Sequence, residues 1–106
     1  MPLTRRFKET VAARARRDPK FAQALLDEAL ALFVGGEPDT AKLVLRDLVN
    51  ATIGFEALAT EIGKPVKSLH RMLSVAGNPT MTNLSTILAA LQHRLRVQIR
   101  TRVVAA

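Results

Sequence analysis

Side chains that could bind a polyanion are concentrated in residues 64–74. Four of them recur at the helical spacing i, i+3, i+4 and i+7: Lys67, His70, Arg71 and Ser74. Lysine and arginine side chains can pair with phosphates, and an arginine can also bridge the O6 and N7 atoms of guanine. The spacing therefore predicts a polar, cationic helical face suited to contact with a nucleic acid.

Other chemistry has little support in the sequence. Ser68 and His70 are two residues apart, so on a helix they point to different faces and cannot form a nucleophile–base pair. No acidic residue follows Glu61 to orient such a histidine, and there is no cysteine to bind a metal together with His70 or His93. The sequence predicts no enzyme, no metal site and no cofactor.

Charge is distributed unevenly along the 106 residues, whose formal net charge is +7. Residues 1–17 contain six Lys and Arg against Glu9, and residues 64–106 contain seven and no acid, whereas residues 18–63 carry a net negative charge. This distribution indicates that particular surfaces, and not the whole molecule, face a polyanion. The longest apolar run, residues 29–34, is too short to cross a membrane, and no secretory signal is visible, so we expect a cytoplasmic protein without a membrane partner.

The first half of the chain has the periodicity of helices. Thr4 can cap a first helix that runs to about Arg17, and Asp18-Pro19 reads as an N-cap followed by proline at the first helical position. This second helix is expected to stop at Gly35-Gly36. Asp39 or Thr40 then opens a third helix with an apolar stripe at i, i+3, i+4, i+7 and i+8: Ala41, Val44, Leu45, Leu48 and Val49.

Two short helices joined by a glycine turn are expected to follow. The first covers Phe55 to Ile62, and the second starts at Pro65 and runs to about Ser74. Lys64 occupies the place where a serine or threonine N-cap would be expected. The residues that must fill the angle between these helices, or form their turn, are small, apolar or glycine: Leu58, Ala59, Ile62, Gly63, Leu69 and Met72.

A sixth helix, capped by Thr80 or Thr82, is expected to end near His93. Beyond it the hydrophobic period changes from helical spacing to two. Apolar residues and Thr101 alternate with basic residues and Gln98 over residues 94–103, which predicts a short β-strand. A lone strand needs a hydrogen-bonding partner, such as the same strand of a second subunit, and the alternatives are a basic tail or continued helix.

Residues 55–74 resemble the helix-turn-helix of the phage-repressor/Cro (Xre-type) family, with Ala59, Gly63 and Leu69 at its signature positions. The chain from Leu3 to Gln92 further resembles the addiction-module antidote proteins, which are DNA-binding antitoxins of type II toxin–antitoxin pairs. The segments that carry this second resemblance are Leu3-Thr4-Arg5, Phe7-Lys8-Glu9-Thr10-Val11, Arg17-Asp18-Pro19, Leu45-Arg46-Asp47, Asn50-Ala51-Thr52-Ile53-Gly54-Phe55-Glu56 and Lys67-Ser68-Leu69.

The resemblance implies a sequence-specific repressor that inserts the second helix of the pair into the major groove. Together with the spacing, it places the DNA-binding side chains at Lys64, Val66, Lys67, Ser68, His70, Arg71 and Ser74. Val66 could touch a thymine methyl or pack with Leu69 and Leu73. The expected partners are a double-stranded DNA operator, a second copy in a homodimer and a cognate toxin. The alternatives are a stand-alone regulator without a toxin and a helical protein-interaction module.

The sequence thus predicts an all-α fold, a phage-repressor-like helix-turn-helix bundle with two extra N-terminal helices and a short C-terminal strand. We divide it into an N-terminal helical extension (residues 1–36), a helix-turn-helix DNA-binding domain (37–93) and a basic C-terminal strand or tail (94–106).

Overall fold

A computed structural model describes residues 11–106, and each regular element within this range is an α-helix. The predicted all-α fold class is therefore confirmed, whereas Thr4 and Phe7, at the predicted start of the first helix, lie outside the described residues. In chain order the helices are α1 (residues 11–17, its described part), α2 (Pro19–Val34), α3 (Pro38–Ala51), α4 (Phe55–Ile62), α5 (Val66–Met72) and α6 (Met81–Leu95).

Side-chain caps define where two of these helices begin. The carboxylate of Asp18 accepts hydrogen bonds from the backbone N–H groups of Lys20 and Phe21 at 3.1 and 3.3 Å, and Pro19 is the first residue of α2, as predicted. At the start of α6, the hydroxyl of Thr80 accepts from the N–H of Asn83 at 3.0 Å. Thr80, and not Thr82, is therefore the N-cap residue of α6.

Helix α3 begins at Pro38, one residue before the earlier of the two expected starts. The predicted start at Asp39 or Thr40 is wrong, because Pro38 is already helical and Glu37 occupies the N-cap position without a side-chain hydrogen bond. Proline has a backbone angle that suits the first helical turn, and it has no N–H that would need a partner there. The proline therefore starts the helix in the absence of a side-chain cap.

One hydrophobic core joins helices from both sides of residue 36. The N-terminal helices contribute Ala15, Ala22 and Leu26, which pack in the same cluster as Leu45 and Leu58. The fully buried large side chains of the described residues are Leu45, Leu48, Val49, Leu58, Leu69, Leu73, Ile87 and Leu91. Burial of leucine and isoleucine side chains stabilises the fold by about 1.5–3 kcal/mol each. Helices α1 and α2 are thus integral to the core that supports α4 and α5.

The predicted C-terminal strand is absent from the described chain. Helix α6 continues to Leu95, beyond the expected end at His93, and Arg96 caps it in a left-handed conformation with φ 56°. Residues 97–106 have no regular secondary structure. The alternation of apolar and polar residues is seen instead in the burial of the side chains. Val97 and Ile99 pack on the core, whereas Gln98 is exposed. A period of two in the sequence is not sufficient for a strand, because the backbone N–H and C=O groups of a strand also need a neighbouring strand to bind.

None of the helices in residues 11–106 combines the length and the hydropathy required to cross a membrane.

Candidate nucleic-acid interface

Gly63 forms the turn between α4 and α5. Its φ of 69° and ψ of 35° lie in the left-handed region, where a residue without a Cβ is favoured. The N–H of Lys64 donates to the carbonyl of Ala59 at 3.0 Å, and the N–H of Gly63 donates to that of Thr60 at 3.3 Å. These two bonds form a Schellman motif, which satisfies carbonyls at the end of α4. The turn lets α5 begin at Val66, only four residues after Ile62.

The inner faces of α4 and α5 fill the angle between the helices as predicted. Leu58 and Leu69 have no exposed surface, and Ala59 exposes 4%. Ile62 and Met72 are half-buried and pack against the same core. Because the buried residues fix the rotation of both helices, they also determine which side chains of α5 face outward.

The start of α5 differs from the prediction. Pro65 is the N-cap residue, with a ψ of 142°, and the first helical residue is Val66. Lys64 therefore precedes the cap, and the expectation that it occupies the N-cap position is wrong. Proline offers no side-chain acceptor for the first N–H groups of the helix, so α5 begins without a side-chain cap.

Four cationic or titratable side chains of the predicted site share the exposed surface of the turn and α5: Lys64, Lys67, His70 and Arg71. Ser68 is half-buried. Lys67 and Arg71, each two residues from the buried Leu69, lie on the opposite side of α5, and the exposed His70 and Lys64 lie on and before the same helix.

Val66 exposes 37% of its surface and does not belong to the core cluster. Packing with Leu69 and Leu73 and contact with a thymine methyl therefore both stay predictions for Val66. An exposed valine at the first position of α5 leaves its methyl groups available to an apolar contact from outside.

Ser74 is not part of the exposed stripe of α5. The helix ends at Met72, two residues before Ser74, so the predicted i+7 position does not exist on it. Ser74 is half-buried, and its hydroxyl donates to the carbonyl of Arg71 at 2.8 Å. The side chain closes the end of the helix, and the prediction that it extends the polar face is wrong.

An aromatic stack connects the exposed face of α5 to the beginning of α4. The rings of His70 and Phe55 are nearly parallel, at 12°, with centroids 4.1 Å apart. Phe55 is 5% exposed, as expected for a core phenylalanine. No sequence signal paired these residues, because stacking depends on the angle at which the two helices cross.

Lys42 is a buried charged residue that the sequence reasoning missed. The residue is 5% exposed, and its ammonium group donates to the carbonyls of Val75, at 3.2 Å, and Gly77. The carboxylate of Asp39 lies 3.2 Å from the same nitrogen. A usable signal existed, because Lys42 stands at i−3 and i−7 from the buried Leu45 and Val49 and so falls on their side of α3.

The basic side chains of the exposed α5 face take part in none of the ion pairs among residues 11–106. Within residues 11–106, ion pairs occur between Arg14 and Asp18 and between Lys42 and Asp39, and neither involves Lys64, Lys67 or Arg71. Since the sequence has no acid after Glu61, α5 itself carries only positive charge. Such a face attracts anions over several ångströms.

The described part of the chain contains no group of three His, Cys, Asp or Glu residues arranged to hold a metal ion. Its exposed α5 face instead offers hydrogen-bond donors and positive charge, which suit phosphate oxygens and the acceptor atoms of base edges.

No protein-family model, curated protein or solved structure matches this chain, so the resemblance to Xre-type antitoxins stays a prediction from the sequence.

Proposed function

We propose that the protein is a sequence-specific double-stranded DNA-binding transcriptional repressor that reads the major groove with α5. The observation that carries the proposal is the exposure of Lys64, Lys67, His70 and Arg71 on the turn and α5, beside a tight glycine turn and on a helix whose Leu69 is buried in the core. Two short helices in this arrangement are typical of DNA-binding motifs in which the second helix enters the groove.

The dimensions of α5 suit this role. An α-helix with its side chains is about 10–12 Å in diameter and fits a major groove about 12 Å wide, and the seven residues of α5 extend about 10 Å along the helix axis. Arg71 has the donor geometry to bridge O6 and N7 of guanine, and Lys67 can reach a base or a phosphate. Lys64, before the helix, is placed in this proposal on a phosphate, where it contributes affinity without base preference.

In this proposal His70 both stacks on the core and donates a hydrogen bond to DNA. Its stack on Phe55 holds the ring in one plane, so a hydrogen bond from an imidazole nitrogen would have a fixed direction. A polar group that is already ordered loses less conformational entropy on binding than a free side chain.

Dimerisation through the C-terminal segment is part of the same proposal. Among residues 11–106, the backbone of residues 97–106 makes two hydrogen bonds, from the N–H groups of Val97 and Ile99 to Gln92, and no others. An antiparallel pair of two copies about Ile99 would give partners to the backbone groups of residues 97–101.

The pattern of the segment supports pairing with itself. If two copies pair antiparallel about Ile99, Val97 faces Thr101 of the partner subunit on the apolar side, and Gln98 faces the partner subunit's Arg100 on the other side. A two-fold dimer would present two α5 helices to half-sites that are about 34 Å, or a multiple of it, apart.

The role as antitoxin of a toxin–antitoxin pair rests on the sequence resemblance. Its test is co-purification of the protein with the product of the adjacent reading frame. A stable complex that abolishes the toxicity of that product supports the role, and failure to bind it supports a regulator that acts alone.

Fluorescence anisotropy tests DNA binding. A labelled duplex from upstream of the protein's own reading frame is compared with a shuffled duplex of equal composition, and both are titrated at several salt concentrations. We expect tighter binding to the upstream duplex and a steep fall in affinity with salt, because released counterions dominate such binding. No binding to either duplex, even at low salt, would favour a protein-interaction module.

A further inference from the structure

Lys42 connects α3 to the loop that follows the proposed recognition helix. It is buried at 5% exposure, yet its charge is directed at the backbone of residues 75–77 and not at another buried side chain. A lysine in such a place costs desolvation energy and persists where several partners hold its protons. Its three partners are the carbonyls of Val75 and Gly77 and the carboxylate of Asp39.

Gly77 connects Lys42 to the end of α5, because its carbonyl binds Lys42 and its backbone lies against the carbonyl of Arg71. Gly77 is buried, and a Cβ added there would overlap the carbonyl oxygen of Arg71 and lie 2.8 Å from its carbonyl carbon. The N–H of Gly77 also donates to the carbonyl of Ser74 at 3.0 Å, while the Ser74 hydroxyl donates to the Arg71 carbonyl. The loop backbone is therefore in direct contact with the backbone of Arg71, the residue that we propose to bind a base.

We propose that Lys42 is a positioning residue for Arg71, acting through the backbone of Val75 and Gly77. By holding these two carbonyls, the buried ammonium fixes the loop, and the loop fixes the last turn of α5. The inference rests on the proposed DNA binding for its functional consequence, whereas its structural part, the dependence of the loop on Lys42, stands independently of any ligand.

The proposal distinguishes Lys42 from the exposed lysines of the surface. Lys64 and Lys67 are exposed and can contact DNA directly, so their removal changes the salt dependence of binding. Lys42 is enclosed by protein and cannot reach a phosphate without leaving its three partners. Its removal is expected to weaken recognition while the salt dependence stays unchanged.

The experiment uses the full chain with Lys42→Met, which keeps an unbranched side chain one atom shorter and removes the donor, and Lys42→Gln, which restores a neutral donor. Lys20→Met is the matched control, because it removes one exposed positive charge on α2. Amide hydrogen exchange is followed over residues 73–79, and binding is measured on the upstream and shuffled duplexes.

We expect Lys42→Met to accelerate exchange at Gly77 and its neighbours, with Lys42→Gln intermediate and Lys20→Met like wild type. If the loop of Lys42→Met is in the conformation that binds DNA in about a tenth of the molecules, the Kd for the upstream duplex rises about tenfold. The preference over the shuffled duplex falls, and the slope of log affinity against log salt is unchanged.

Unchanged exchange over residues 73–79 in a folded Lys42→Met protein would overturn the structural part of the proposal. Accelerated exchange with unaltered preference for the upstream duplex would overturn the positioning of Arg71. If Lys42→Met does not fold, the same two measurements on Lys42→Gln decide. If the wild-type chain binds no duplex, the proposed function fails, and hydrogen exchange alone decides whether Lys42 holds the loop.

Discussion

The imidazole ring of His70 lies flat against the phenyl ring of Phe55, with centroids 4.1 Å apart. Phe55 is the first residue of α4 and is almost fully buried, whereas His70 lies on the exposed face of α5. One side chain of the proposed DNA-reading surface therefore rests directly on the core. The stack links the orientation of α5 to the beginning of α4, in addition to the link through Gly63.

Replacing His70 separates its stacking from its hydrogen bonding. We expect His70→Ala to lower the free energy of unfolding by about 0.5–1.5 kcal/mol, because an aromatic pair is lost. His70→Phe keeps the stack, so its stability in urea denaturation should match wild type. Both variants should weaken binding to the upstream duplex, and equal stability of all three proteins would contradict a structural role for the stack.

Gly63 is expected to tolerate no ordinary side chain without a loss of stability. At its positive φ, Gly63→Ala should lower the free energy of unfolding by about 1–2 kcal/mol, since a Cβ is disfavoured in the left-handed region. Gly63→Asn is the control, because asparagine enters this region more readily than alanine, and it should lose less. Denaturant unfolding of the three proteins measures the difference, and alanine at least as stable as asparagine would exclude this explanation of the turn.

Arg71 and Lys64 should affect DNA binding in different ways. Arg71→Ala is expected to cost about 1–3 kcal/mol at one base position and to relax the preference there. Lys64→Ala should weaken binding to all sequences alike and reduce the salt slope by about 0.9.

Lys20→Ala is the control for both variants, with loss of one exposed charge on α2. Binding to a set of single-base variants of the upstream duplex, measured at several salt concentrations, separates these effects. The assignment of roles fails if the control changes affinity as much as the two site variants, or if Arg71→Ala leaves the base preference intact.

The C-terminal segment should control self-association. Ile99→Asp places a charge on the half-buried, apolar side of the segment and is expected to yield a monomer, whereas Gln98→Asp places it on the exposed side and should leave the dimer intact. Sedimentation equilibrium measures both. Each segment carries Arg100 and Arg102, follows Arg96 and has no acid, so the two copies repel, and higher salt should tighten the dimer by screening this repulsion, opposite to its effect on DNA binding. Association unaffected by Ile99→Asp would place the interface elsewhere.

Local signals predicted most of the helices. Asp18-Pro19 starts α2, Gly63 ends α4, and Thr80 starts α6, because each of these features acts through neighbours in the chain. The apolar stripe of α3 likewise identified Leu45, which is fully buried. Helix spacing also placed Lys67, His70 and Arg71 together on the outside, since burial of Leu69 fixes the rotation of α5.

Long-range contacts were beyond the sequence reasoning. The bonds from Lys42 to Val75 and Gly77 connect residues more than thirty positions apart, and no local pattern contains that proximity. The spacing of Ser74 predicts a place on the face of α5, but the helix ends at Met72. The period of two after residue 93 predicts a strand, but a period specifies the alternation of side chains and not the partner that completes a sheet.

Chemical-shift mapping tests the central claim most directly: the exposed side of α5 is the surface that contacts DNA. The full-length labelled protein is titrated with the upstream duplex, and amide and side-chain shifts are followed along the chain. We predict the largest changes at Lys64, Lys67, His70 and Arg71, with shifts of buried Leu58 small in comparison. Changes confined to other helices, with α5 unaffected at saturation, would contradict the account.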